Sequence, residues 1–160
     1  MMKTQEHRRL HVVDIENLLG DPRPCESAVV EGLSRYQNIV RAPGVDDLVV
    51  VACNHGAALA VGCCLDGHHR LTVRSGPDGA DHALLDVLAH ERVEARFGRI
   101  VVASGDGIFA EAVSQLTSRG VPVTVVSRLE ALSARLRLAA TEVLFFEPEV
   151  VAEGALAVAA

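Results

Sequence analysis

Residues 99–107 read RIVVASGDG: a five-residue apolar strand, then small residues that turn the chain onto an aspartate. The same strand character recurs at 10–15 (LHVVDI), 47–52 (DLVVVA), 70–74 (RLTVR) and 121–127 (VPVTVVS), with 142–146 as a candidate last strand. Several of these runs are apolar almost throughout. A parallel sheet covered on both faces requires that, whereas a half-exposed sheet shows alternation. Between the strands the spacing predicts helices over 27–36, 56–65, 80–97, 107–119 and 129–140. Regular strand–helix alternation with short connections implies right-handed crossovers and an α/β fold. The expected architecture is a three-layer α/β/α sandwich around a mainly parallel sheet.

The whole chain fits one such unit. Its 160 residues are 49% apolar and 22% charged, which rules out disorder as the main state. A polar tail over 1–9, a single domain over 10–147 and an Ala/Val/Glu-rich tail over 148–160 account for it. The first nine residues lack the apolar run of a signal peptide. The longest uncharged stretch, 48–65, is broken by Asn54, His55, Gly56 and Gly62, so it reads as strand, turn and helix rather than a membrane span. Cys25, Cys53, Cys63 and Cys64 show no C-x-x-C spacing and are expected to be reduced thiols in a cytoplasmic protein.

In an open parallel sheet, ligands bind beyond the carboxyl ends of the strands. Asp14 ends the first strand, Asp106 follows the fourth, and Asp81 opens the helix after the third. All three arise at one sheet edge, where they repel each other unless a cation or a shared proton neutralises them. An all-oxygen cluster suits Mg²⁺ or Mn²⁺ and metal-assisted phosphodiester hydrolysis. Each aspartate also reads as a plain helix cap. Asp86 lies five residues past Asp81, roughly 140° around the helix, where it is a supporting or a solvated residue. His55 and His82, near element ends at this edge, are candidate general bases.

The motifs around these acids resemble those of NYN domains, a branch of the PIN-like ribonucleases. Asp14-Ile15-Glu16-Asn17 is similar to that family's opening D-x-x-N. Gly79-Ala80-Asp81 through Asp86 resembles its G-x-D-x-x-x-x-D helix, and Ser104-Gly105-Asp106-Gly107-Ile108-Phe109 its S-G-D-S-D-F stretch. The resemblance spans roughly residues 10–146 and implies a PIN-like fold with Mg²⁺- or Mn²⁺-dependent cleavage of single-stranded RNA. It implies Asp14, Asp81 and Asp106 as metal ligands and Asn17 as an orienting residue. Ser104 then supports the Asp106 loop, with Asp86 a further supporting candidate. A homodimer is compatible with it. Three positions depart from the pattern: Ile108 replaces the second acid, Gly107 a serine, and Pro77-Asp78 stands where the family often has lysine. Glu111, one turn on, is the residue placed to compensate for Ile108. A degenerate member that binds RNA or protein without turnover is therefore the alternative.

Composition removes rivals. The only lysine is Lys3, ahead of the first strand. Receiver domains and haloacid-dehalogenase-like phosphohydrolases need a later lysine on the phosphoryl group, a point charge arginine replaces poorly. No P-loop motif is present. Residues 105–110 (GDGIFA) formally match a dinucleotide fingerprint, yet Asp106 puts a carboxylate where the pyrophosphate must approach, so no dinucleotide cofactor is expected. The net charge of −6 argues against binding nucleic acid by bulk electrostatics, and five aromatics with no tryptophan argue against base stacking. RNA contacts would fall to arginines such as Arg70, Arg74 and Arg128.

Overall fold

A computed structural model of the protein describes residues 7–41 and 43–147. The two tails expected at 1–9 and 148–160 lie largely or wholly outside the described residues. Six strands form one sheet: β1 (Arg9–Asp14), β2 (Leu48–Cys53), β3 (His69–Val73), β4 (Arg99–Ala103), β5 (Val123–Ser127) and β6 (Glu142–Phe145). Their order is β3-β2-β1-β4-β5-β6, and every neighbouring pair is parallel. The expected sandwich is present, with a wholly parallel sheet. Seven helices connect the strands: α1 (Ile15–Leu19), α2 (Glu26–Ile39), α3 (Ala58–Cys64), α4 (Gly79–His90), α5 (Val93–Arg96), α6 (Ala110–Ser118) and α7 (Ala134–Ala139).

Strand alternation explains the three layers. Leu10, Val12, Val50, Val102 and Val125 point to one face and pack with Leu84, Val87, Leu88, Val113 and Leu116 of α4 and α6. Val13, Val49, Val51, Val101 and Val126 point to the other and meet Leu18, Val29, Leu33, Tyr36 and Val61 of α1–α3. Each such side chain contributes about 1.5–3 kcal/mol on full burial, so both faces must be covered for the sheet to persist.

Helix boundaries depart from expectation, one case being the helix expected over 107–119, which opens as a 3₁₀ turn (Gly107–Phe109) before α6. Asp14 caps a five-residue α1 that the sequence reading left in the connection after β1. The helix expected over 80–97 divides at Arg92, which adopts φ 50° so that Val93 and Phe97 turn into the core. The left-handed conformation costs a non-glycine residue about 1 kcal/mol, less than burying those two side chains gains. The helix expected over 129–140 is a 3₁₀ turn (Leu129–Ala131) followed by α7. There the Ser133 N–H bonds the Gly105 carbonyl at 2.8 Å instead of continuing a helix.

A polar network closes the amino edge of the sheet. Asp47 accepts hydrogen bonds from Arg9 N (2.7 Å), Arg9 Nε (2.9 Å) and Gly44 N (2.7 Å). His11, fully buried, bonds the Tyr36 hydroxyl through Nδ1 at 2.7 Å and faces Asp47 through Nε2 at 3.7 Å. Burial acts to raise the Asp47 pKa, yet the His11 contact and the Arg9 and Gly44 donors hold that carboxyl well below its usual range. A carboxyl with a depressed folded pKa adds stability above its unfolded pKa of about 4 and loses it on acidification. Asp47→Asn is therefore expected to destabilise the protein by about 2 kcal/mol at pH 7, with the gap closing towards pH 3. Urea unfolding at both pH values measures it, and an equal loss at each would show that packing, not charge, is responsible.

Candidate active site

The strand order reverses between β1 and β4, and the crevice outside their carboxyl ends is where open α/β sheets bind ligands. Asp14 is the last residue of β1, 5% exposed, and its Oδ1 accepts the Asn17 N–H at 3.1 Å. Asp81 comes to the same place from the first turn of α4 and is 6% exposed. A tight turn after β3 delivers it. Gly76 has φ 102°, Asp78 has φ 51°, and at Gly79 the Arg74 carbonyl fills the space a Cβ would need.

The Asp14 and Asp81 carboxyls act directly on each other, and two buried carboxyls this close ionise together only at high cost. Burial, then the Asp14 carboxyl, then the charges of Asp106 and Asp78 push Asp81 up to about 8. Burial also raises Asp14, while the Asp81 contact and the Asn17 N–H act the other way. With Asp81 pushed up to about 8, the pair is not doubly ionised at neutral pH. Asp81 Oδ1 is buried with no hydrogen-bond partner among the described residues. A buried carboxylate oxygen left this way costs stability and calls for a positive ligand.

Asp106 faces the same crevice but is turned to its own loop. Its Oδ1 accepts the Ile108 N–H at 2.9 Å and caps the 3₁₀ turn Gly107–Phe109, while its N–H donates to Ser104 Oγ at 3.3 Å. Ser104 is fully buried beneath it. Asn17 ties the two halves of the site together: its Oδ1 accepts the Gly105 N–H at 2.9 Å, and its carbonyl accepts Arg128 Nε at 3.1 Å. Ile108 is half-buried against the aliphatic core, so the position of the missing acid is an apolar contact.

The other expected residues are spread more widely. Asp86 is exposed and pairs with Arg74 at 3.1 Å. Arg70 binds Glu91 at 2.6 Å, at the far end of α4 from Asp81. Arg128 pairs with Glu130 as well as with Asn17. Glu111 is exposed and accepts from Gln115 at 3.4 Å. His82 is exposed beside Asp81 on α4. Sequence reasoning missed the pairing of His55 with Ser75, 2.7 Å apart, because the two residues belong to loops after different strands.

Among the described residues, no three His, Cys, Asp or Glu side chains stand close enough to hold an ion by themselves. Two are enough for the smaller hard cations. Mg²⁺ keeps several waters and is held through one or two carboxylates plus substrate phosphate. Asp14 and Asp81, all-oxygen, with a proton to release and an unpartnered buried oxygen, fit that description.

Fold and site together define a class: an all-parallel α/β/α sandwich with a buried carboxylate pair at its topological switch point. No protein-family model and no curated protein matches the chain. It is similar in fold to the crystal structure of a Vibrio parahaemolyticus protein of unknown function. The two share 17% identity and a TM-score of 0.59 over 92% of this chain and 97% of that one. No helix among the described residues is long and apolar enough to cross a membrane.

Proposed function

We propose that the protein is a divalent-metal-dependent phosphodiester hydrolase of the NYN/PIN-like type that cleaves single-stranded RNA. The buried Asp14–Asp81 pair, with its unpartnered Oδ1 at the switch point, carries the hydrolytic reading. The D-x-x-N, G-x-D and S-G-D stretches support RNA as the substrate. Asp14 and Asp81 would hold Mg²⁺ or Mn²⁺, which supplies charge for the phosphate oxygens and lowers the pKa of a bound water. Asn17 fixes the Asp106 loop against α1. Asp106 Oδ2 makes no hydrogen bond among the described residues, so it is free to take the proton of an attacking water.

Substrate contacts in this reading are made to the RNA backbone. Tyr36, Phe97, Phe109 and Phe146 are all buried, and Phe145 lies on the edge strand β6. Without aromatic platforms at the site, cleavage is expected to tolerate many sequences. The test is cleavage of labelled single-stranded RNA with Mn²⁺ or Mg²⁺ by wild type, Asp14→Asn and Asp106→Asn. Losses of about 100-fold or more are expected for Asp14→Asn and about 10-fold or more for Asp106→Asn. Activity that survives both substitutions rejects the assignment. Tight Mn²⁺ binding with no cleavage favours the binding-only alternative, which the apolar Ile108 makes specific.

A further inference from the structure

At the same carboxyl edge of the sheet stands a contact that the hydrolytic reading leaves unused. His55 follows β2 by two residues and Ser75 follows β3 by two. Ser75 Oγ accepts the His55 backbone N–H at 3.0 Å and lies 2.7 Å from His55 Nδ1. One hydroxyl thus holds both the main chain and the ring of one histidine across the exits of two adjacent strands. The preceding residue is fixed as well. Asn54 donates its backbone N–H to Glu16 Oε1 and its side-chain amide to the Pro22 carbonyl at 2.9 Å, and its side-chain oxygen accepts the Ala57 N–H at 3.1 Å. The His55 ring is exposed, and its Nε2 has no hydrogen bond among the described residues.

Sheet register places the residue in the strand order. Asp14 pairs with Ala52 and Cys53 with Val73, so the carboxyl edge reads Ser75, His55, Asp14, Asp106 from β3 to β4. Neighbouring strands are about 4.8 Å apart, which puts His55 one strand from Asp14 on the side away from Asp106. Ser75 also begins the turn that ends in Asp81. A hydroxyl can donate one hydrogen bond and accept two. Ser75 therefore donates to Nδ1 of the neutral ring and accepts from Nδ1–H of the charged one. It also accepts from Nδ1–H of the neutral ring that has given up its Nε2 proton, so the ring keeps its place in every state.

The geometry points to His55 as the general acid of this site, held by Ser75 and passing its Nε2 proton to the leaving oxygen of the phosphodiester. The inference rests on the hydrolytic reading of the Asp14–Asp81 pair. The bond from phosphorus to the leaving oxygen breaks as the bond from water oxygen to phosphorus forms. The leaving oxygen departs as an alcohol with the His55 proton, and Asp106 takes the water's proton. The ring is left neutral, its remaining proton on Nδ1 and donated to Ser75. Exchange with solvent resets both groups. In the strand order Asp106 and His55 fall on opposite sides of Asp14, the order in-line displacement needs of a base and an acid.

Two substrates distinguish this role from mere binding: single-stranded RNA, and a 4-nitrophenyl phosphodiester whose leaving group departs without a proton. On RNA, His55→Ala is expected to lose about 100-fold in kcat with KM nearly unchanged, and Ser75→Ala about 10-fold. On the nitrophenyl ester both variants should stay within about threefold of wild type, because no acid is needed. A second readout is independent of turnover. With Ca²⁺ and a phosphorothioate oligonucleotide, the His55 ring signals should move in NMR while those of His90, at the far end of α4, stay put. Equal losses on both substrates, undiminished RNA cleavage by His55→Ala, or unmoved His55 signals overturn the inference and leave the carboxylate site standing. Failure of the wild type to cleave either substrate removes both.

Discussion

Asp81→Asn is expected to melt about 6 °C higher than wild type at pH 8, to match it near pH 4, and to lose metal-dependent cleavage by about 1000-fold. The sign follows from linkage. The Asp81 pKa is raised to about 8 in the fold, so ionisation there is opposed by burial and by Asp14, Asp106 and Asp78. Below an unfolded pKa of about 4, both states are protonated and no penalty exists. As the pH climbs towards 8, the unfolded chain ionises freely and the folded one does not, so wild-type stability falls. Asparagine cannot ionise and escapes that loss. Because the Asp14 and Asp81 carboxyls act on each other, the relief is about 2 kcal/mol rather than the full cost of the shift, which at this chain length is a few degrees per kcal/mol. Saturating Mn²⁺ should stabilise the wild type at pH 8 and leave the variant unmoved. Differential scanning fluorimetry at pH 4, 6 and 8, with and without Mn²⁺, measures all of this. A variant no more stable than wild type at pH 8, or one that Mn²⁺ stabilises equally, would mean that Asp81 bears no strain a cation could relieve.

The second large effect is at Gly105. A methyl group there would run into the Ala131 carbonyl and the Ser127 hydroxyl, and the first of these is backbone that cannot rotate aside. Gly105 also donates to Asn17 Oδ1 at 2.9 Å and accepts from Ser133 N at 2.8 Å. Gly105→Ala must displace that loop and weaken both bonds. The expected cost is about 3 kcal/mol, a drop in melting temperature of about 9 °C, with cleavage down about 10-fold or more as Asp106 moves. Ala110→Gly, on the first turn of α6 outside the loop, serves as the control. A loss under about 1 kcal/mol would show that the 129–133 segment gives way easily.

Much of this was legible in sequence because the sheet advertises itself. VVV and RIVVA runs declare strands buried on both faces, and their acids fall at one edge by topology alone. Asp14 and Asp81 meet as that logic requires. α1 was missed although Asp14, Asn17 and Gly20 carry the cap and stop signals of a very short helix. The 129–140 segment could not be read correctly, because the break comes from Ser133 bonding Gly105, 28 positions away. Charged partners were equally hidden. Nothing local tells Arg70 to bind Glu91 or Asp47 to gather Arg9 and His11. Such pairings are decided by the crossovers, and only the fold brings them together.

The Asn17 hinge has a bearing on how the protein is made. Its side chain bonds Gly105 and its carbonyl bonds Arg128, contacts spanning 88 and 111 positions. β1 is synthesised before the other five strands yet occupies the middle of the sheet, between β2 and a β4 that begins at Arg99. A chain still growing on the ribosome therefore holds its central strand with one side open until β4 has been added. Contact order this high favours slow, late assembly. The edge that Asp14 and Asp106 share comes into being only once β4 has docked beside β1.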